Sequence, residues 1–261
     1  MKILKKTQMS GIGTRFFSIG ILLCLFVLSA NSKAANPATD LEKAKKDGKT
    51  VFLVITGNGA SDIDKANKLA KDVSIKVPKS TVITLNRDEA ANSSLVTKFG
   101  IANVAVPFIF IVSHNGIPVG GYPYARATAD MLIKAVPSPR QDQALLALSE
   151  KKPVFIIVSK KGFTDKAKVI ANCKNASNKM VTKPAIVEVD YSDAKETNFL
   201  NQIGVVTIGD KTKTVVVGAS GKITDTFEGE VDVAKLMASA TKVIKSGGCC
   251  PGGSSKGCGK K

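Results

Sequence analysis

Two short runs of uninterrupted apolar, largely β-branched residues stand out in a chain otherwise dense with lysine: Thr50–Thr56 (TVFLVIT) and Pro153–Ser159 (PVFIIVS). Runs of that length, bounded by polar and turn-forming residues, predict strands buried on both faces. The second run follows the first by 103 residues and matches it position by position. Ile83–Asp88 corresponds in the same way to Val187–Ser192 and Phe99–Ile101 to Ile203–Val205, both 104 residues on; Phe108–Val112 corresponds to Lys213–Val217, 105 residues on. Four landmarks at nearly constant spacing predict two copies of one unit.

The order of elements is the same in both copies. Helices at Asp40–Lys46, rich in Lys, and Asp142–Ser149, rich in Ala and Leu, precede the strong strands, and second helices follow at about Ser61–Asp72 and Thr164–Cys173. A strand comes next, then a helix at Glu89–Phe99 or Ala194–Ile203. Asn115-Gly116 and Ser220-Gly221 then predict hairpin turns, because both pairs suit positive φ. Closing helices are expected at Thr128–Val136 and Val231–Ile244. A βαβ unit followed by ββα predicts an α/β fold, with a mixed four-stranded sheet and helices on both faces of each copy.

The N-terminal pattern is of another kind. Lys2, Lys5, Lys6 and Arg15 form a positive segment without acidic residues, and Phe16–Leu28 is an apolar run too short for a confident membrane span. Ser32-Lys33-Ala34 supplies the small residues that a signal peptidase reads. Residues 1–34 are therefore expected to be a signal peptide, and the remainder periplasmic or extracellular; the other reading is an uncleaved membrane anchor. Cys24 follows Leu22-Leu23 and lacks the small preceding residue of a lipidation site.

The composition is globular, with 44% hydrophobic and 23% charged residues, and carries a net charge of +17. A single His argues against a multi-histidine zinc site. Lysines recur throughout, and Lys65, Lys68 and Lys71 fall on or near one helical face. Stacking aromatics are not interleaved with them, which argues against nucleic acid. An anionic envelope surface fits that charge better, and a solvated face accounts for it more simply.

The segment 45–56 (KKDGKTVFLVIT), an acid-bearing stretch after it, Phe99-Gly100-Ile101, and Val106-Pro107 ahead of a strand and a hairpin glycine together resemble the thioredoxin-like superfamily. The resemblance covers residues 35–137 as a first domain and, in more diverged form, 138–246 as a second. It implies that Pro107 is the family's cis-proline, and the repeat spacing puts Thr212 at that place in the second copy. The family's Cys-x-x-Cys pair would fall at the start of the first helix after the central strand, where the helix N-terminus lowers a thiol's pKa. Here Ala60 and Ile63 stand near those positions within Gly57–Ile63, and Lys160–Lys166 of the second copy has no cysteine either. Dithiol exchange at the usual site is therefore not expected.

Gly57-x-Gly59 ahead of a helix could hold an anion on backbone N–H groups; alternatively, the glycines make the turn and Ser61 or Asp62 caps the helix. His114 is expected to be solvent-exposed in its hairpin, and Gly120–Tyr124 to be an aromatic loop. Cys173 is expected to be a small core residue near a helix end.

Residues 247–261 form a Gly-rich tail that cannot build a core, and they hold Cys249, Cys250 and Cys258. Three readings stay open. The thiolates could bind a soft metal ion of the Cu(I) or As(III) type, with Cys173 as a conceivable fourth ligand. They could form a redox arm, making the chain a thiol–disulfide oxidoreductase. Or the tail is structural, closed by a disulfide or used for attachment. The favoured expectation is an exported, redox-inactive pair of thioredoxin-like domains that binds a protein partner or acts as a scaffold, without an intrinsic cofactor.

Overall fold

The structure, a computed structural model, describes residues 36–244. The expected signal segment and the tail with Cys249, Cys250 and Cys258 lie outside the described residues. Asn36 caps the first helix, its side-chain oxygen accepting from the backbone N–H groups of Ala38 and Thr39, while Pro37 sits where no intrahelical N–H is required. The first repeat then runs α1 (Pro37–Lys46), β1 (Thr50–Thr56), α2 (Ile63–Lys76) and β2 (Ser80–Asn86). A single 3-10 turn leads into α3 (Ser93–Phe99), followed by β3 (Phe108–Val112), β4 (Pro118–Pro123) and α4 (Ala129–Lys134).

The second repeat opens with the same device. Ser138 caps α5 (Pro139–Ser149) by accepting from Gln141 N–H, and Pro139 occupies the first turn. Then come β5 (Val154–Ser159), α6 (Lys166–Lys179), β6 (Ala185–Asp190), α7 (Thr197–Gln202), β7 (Lys213–Val217), β8 (Ile223–Glu228) and α8 (Val233–Thr241).

Each repeat makes its own four-stranded sheet, in the order β2-β1-β3-β4 and β6-β5-β7-β8. The central strand is parallel to its βα-linked neighbour and antiparallel to the first strand of the hairpin. Gly116 and Gly221 take the positive φ of the hairpin turns and donate to the carbonyls of Ser113 and Gly218.

The central strands are apolar throughout because both faces are covered. Val51, Leu53 and Ile55 point toward Leu41, Ala44, Leu95 and Ile101, while Phe52 and Val54 pack against Ala66, Ala70, Val73 and Leu132. β5 repeats the scheme: Val154, Ile156 and Val158 meet Ala144, Ala147 and Phe199, and Phe155 and Ile157 meet Val169, Cys173 and Leu236. The period-two alternation of a strand thus divides each core into two layers.

Several boundaries differ from the sequence expectation. β2 and β6 begin earlier than expected and end at Asn86 and Asp190, because Arg87-Asp88 and Tyr191-Ser192 belong to the following turns. The helices α2 and α6 extend past Asp72 and Cys173, so Cys173 lies in mid-helix. Gly120–Tyr122, expected as loop, belongs to edge strand β4, where Gly120 and Gly121 pair with Ile111 and Phe110. Gly121 has no side chain to collide with β3: a Cβ there would lie 2.4 Å from the Ile109 carbonyl oxygen and 2.5 Å from the Phe108 ring.

The first repeat's hairpin tip reaches the second repeat. Asn115 Nδ2 donates to the carboxylate of Asp142 in the first turn of α5, and His114 Nδ1 lies 2.9 Å from the same oxygen. Asp142 is fully buried. His114 is thus half-buried against a carboxylate, in contrast to the expected exposed turn residue.

Candidate functional site

The two copies present the same piece of backbone at the C-terminal end of the central strand, where open α/β sheets place their ligands. After β1, Gly57 accepts from Ala60 N–H and Gly59 takes a positive φ; after β5, Lys160 accepts from Phe163 N–H and Gly162 does the same. Helices α2 and α6 then start from Asp62 and Asp165. The facing wall is the loop before β3 or β7. There Pro107, after a cis peptide bond from Val106, and Thr212 hold equivalent places, each carbonyl accepting one N–H from the strand end opposite, Tyr124 and Gly229 respectively.

The side chains then part ways. In the second copy the Asp165 carboxylate accepts from the Thr212 N–H at 3.0 Å and from its hydroxyl at 2.7 Å. This joins the start of α6 to the loop before β7, and Thr212 is fully buried. Pro107 has neither an N–H nor a hydroxyl to offer. Asp62 accordingly turns away, with a left-handed backbone, and pairs with Lys65 at 2.7 Å. That hydrogen bond raises the Lys65 pKa. Asp62 is the N-cap residue by position, but its side chain makes no capping bond, and neither Ser61 nor Asp62 caps α2 as expected.

The backbone of Gly57-x-Gly59, one of whose two readings was an anion site, is used internally. Asn58 N–H donates to the Asp88 carboxylate at 2.7 Å, and Asn86 donates to the Asn58 side-chain oxygen at 3.1 Å. Arg87 donates to the Val104 carbonyl and lies 3.6 Å from Asp88. These bonds tie the β1 turn, the end of β2 and the loop before Val106 into one network. Gly57 fits closely inside it, since a Cβ would come 2.9 Å from Asp88 and 3.4 Å from the Val106 side chain.

Ala60 sits in the turn and Ile63 is the first residue of α2, both half-buried. Among the described residues no thiol stands beside them, and the charged pair at that place is Asp62 with Lys65. Cys173 lies in the second core against Val216 and Phe155, and burial pushes its thiol up to about 12, with the Thr214 hydroxyl pulling slightly the other way. A thiol so enclosed stays protonated in the folded domain. Among the described residues, no three His, Cys, Asp or Glu side chains gather in a way that could hold a metal ion. Tyr122 and Tyr124 pack on their own domain's core. Sequence reasoning did not find Asp165, Asp88 or Asn58. The one available signal was the aspartate shared by the two copies at helix start, Asp62 and Asp165.

No protein-family model matches the chain, and no curated protein matches it. Among solved structures it is similar to the first two thioredoxin domains of Naumovozyma dairenensis Eps1p, with 12% identity over 84% of this chain and 99% of that one and a TM-score of 0.29. It is similar also to the NTD_N/C domain of alkylhydroperoxide reductase AhpF from Enterococcus faecalis (9%, 78% and 99%, 0.27) and to human ERp44 (9%, 77% and 53%, 0.33). Likeness at this level concerns the fold alone. The strand order and the βαβ–ββα connection in each half are thioredoxin-like, and the chain holds two such domains in tandem.

Proposed function

We propose that the chain is an exported, redox-inactive tandem thioredoxin-like protein that binds a protein partner through the first domain, at the surface formed by Asn58, Gly59 and Val106. The second domain serves as its scaffold. One contrast carries this reading: Asp165 and Thr212 bond to each other across the second copy's site, while in the first copy Asp62 points away and leaves the Val106-Pro107 loop without a partner from the helix start. Asn58 and Gly59 are exposed and Val106 is half-exposed, so polar backbone and an apolar side chain meet at one place. Such a surface suits an extended peptide segment better than a small anion, because the Asn58 N–H that would hold an anion is already engaged by the Asp88 carboxylate.

A photo-crosslinking residue at Asn58 tests it. The expected result is one discrete protein adduct in cells, with none from the same residue at Lys161, the matching position in the second copy. Equal capture at both, or none at Asn58, overturns the reading. Redox inactivity is checked separately: purified full chain should reduce insulin no faster than a variant with Cys249, Cys250 and Cys258 all changed to Ser. A tail-dependent rate would replace the scaffold reading with an oxidoreductase one.

A further inference from the structure

At the other end of the first sheet lies a cavity of about 90 Å³ between α1, α3 and the β3–β4 hairpin. It is separated from the Asn58 surface by the length of β1, roughly 20 Å at the usual rise per strand residue. Its floor is apolar and buried: Leu41, Val51, Leu95 and Val112, with Phe99 at one side. Its rim is basic. Lys45, Lys49 and Lys98 surround the mouth, against one acidic residue, Glu42. Lys49 pairs with Asp47 at 3.4 Å, whereas Lys45 and Lys98 form no ion pair among the described residues. Lys45 lies along the hairpin turn at Gly116, and Lys98 sits over the Phe99 ring, 5.6 Å from its centre.

The second repeat shows what this position looks like when it is only core. The counterpart of Leu95 is Phe199, the counterpart of Lys45 is Leu148, and both pack into the second core. Gln202 stands where Lys98 does, and it accepts a hydrogen bond from Gln141. A phenylalanine, a leucine and a paired amide thus occupy the place where the first repeat has a leucine and two ammonium groups that form no ion pair among the described residues, with Ala144 standing where the first repeat has Leu41. A structural need would be met by the second arrangement. The first leaves an apolar hollow beneath positive charge, which is the complement of an amphipathic anion.

We propose that this cavity binds a small monocarboxylate with a short branched aliphatic tail. The tail enters between Leu95 and Val112, displacing water from apolar walls, and the carboxylate stays at the mouth between Lys45 and Lys98. The cavity is smaller than the ~150 Å³ that accepts a whole benzene ring in an engineered core, so the tail must be compact. The site is distinct from the proposed partner surface and does not depend on it.

The test uses the full chain and three probes sharing one tail: isovalerate, isoamyl alcohol and isoamylamine, titrated by NMR. Isovalerate should give saturable shifts confined to Leu41, Leu95, Phe99 and Val112, with affinity at least about tenfold above the alcohol and no binding of the amine. Tenfold is the usual value of one charge-assisted contact. Changing Lys45 and Lys98 to Gln, both exposed, should bring the acid down to the alcohol's level while leaving the alcohol unchanged. Leu95→Phe, which copies the second repeat, should abolish binding of both. The proposal is overturned if acid and amine bind alike, if the acid's shifts do not saturate, or if they fall outside the cavity.

Discussion

Asp165 accepts hydrogen bonds from both the backbone N–H and the hydroxyl of Thr212, two residues 47 positions apart, and so closes the second domain's strand-end site from within. Thr212 is fully buried, so its donors have no water to fall back on. Asp165→Ala should therefore lower stability by about 2 kcal/mol, the scale of hydrogen bonds to a charged acceptor whose partners are left unpaired. The check is the denaturation midpoint in urea. Asp62→Ala, which removes only an exposed ion pair, should leave it nearly unchanged. Equal effects would contradict the asymmetry between the two copies.

Two glycines of the first domain separate steric need from convenience. At Gly121 a methyl group would meet the backbone of β3 and the Phe108 ring, neither of which can retreat without shifting the sheet. Gly121→Ala should cost about 1–3 kcal/mol, as overpacking does. At Gly57 the nearest atom is the tip of the Asp88 side chain, which can swing aside. Gly57→Ala should cost less than about 1 kcal/mol, and amide exchange at Asn58 should quicken as its bond to Asp88 is lost. Thermal or chemical denaturation of the two variants side by side gives the comparison.

Cys173 makes a prediction with a sign. Its thiol is held protonated in the folded state, with the pKa raised from 9.0 to about 12 by burial. An unfolded chain loses that proton near pH 9 while the folded chain keeps it. The stabilising contribution is thus complete below about pH 9 and declines as pH rises toward 12, by at most about 1.4 kcal/mol per pH unit. Comparing wild type with Cys173→Ala between pH 8 and 11 isolates this slope from the lysines and tyrosines. Thiol reagents should likewise leave Cys173 unmodified at pH 8 until the chain is unfolded.

The repeat, the strands and the two-faced sheets were legible because each is written in local periodicity and in a spacing that barely drifts from 103 to 105 residues. The edge strands were less so. The expected second strand starts only at Ile83 and Gly120-Gly121 read as loop, since an edge strand is half-buried and the glycine pair has no side chains to alternate. The site was the least visible. That Asp165 meets Thr212, or that Asn58 meets Asp88 across 30 residues, depends on two loops converging, which no helical or strand period records. Asp142 was hidden in the same way: nothing in the period of its own helix shows that the neighbouring hairpin covers it completely.

That covered carboxylate shapes the pair as a whole. The hairpin tip of one domain grips the first turn of a helix that belongs to the other, through Asn115 and His114, and the short connection between α4 and α5 leaves little slack around the grip. Two beads on a string would search independently for their targets. These two are instead joined by that contact, so a partner docking beside Asn58, as proposed above, would meet a first domain already tied to the second.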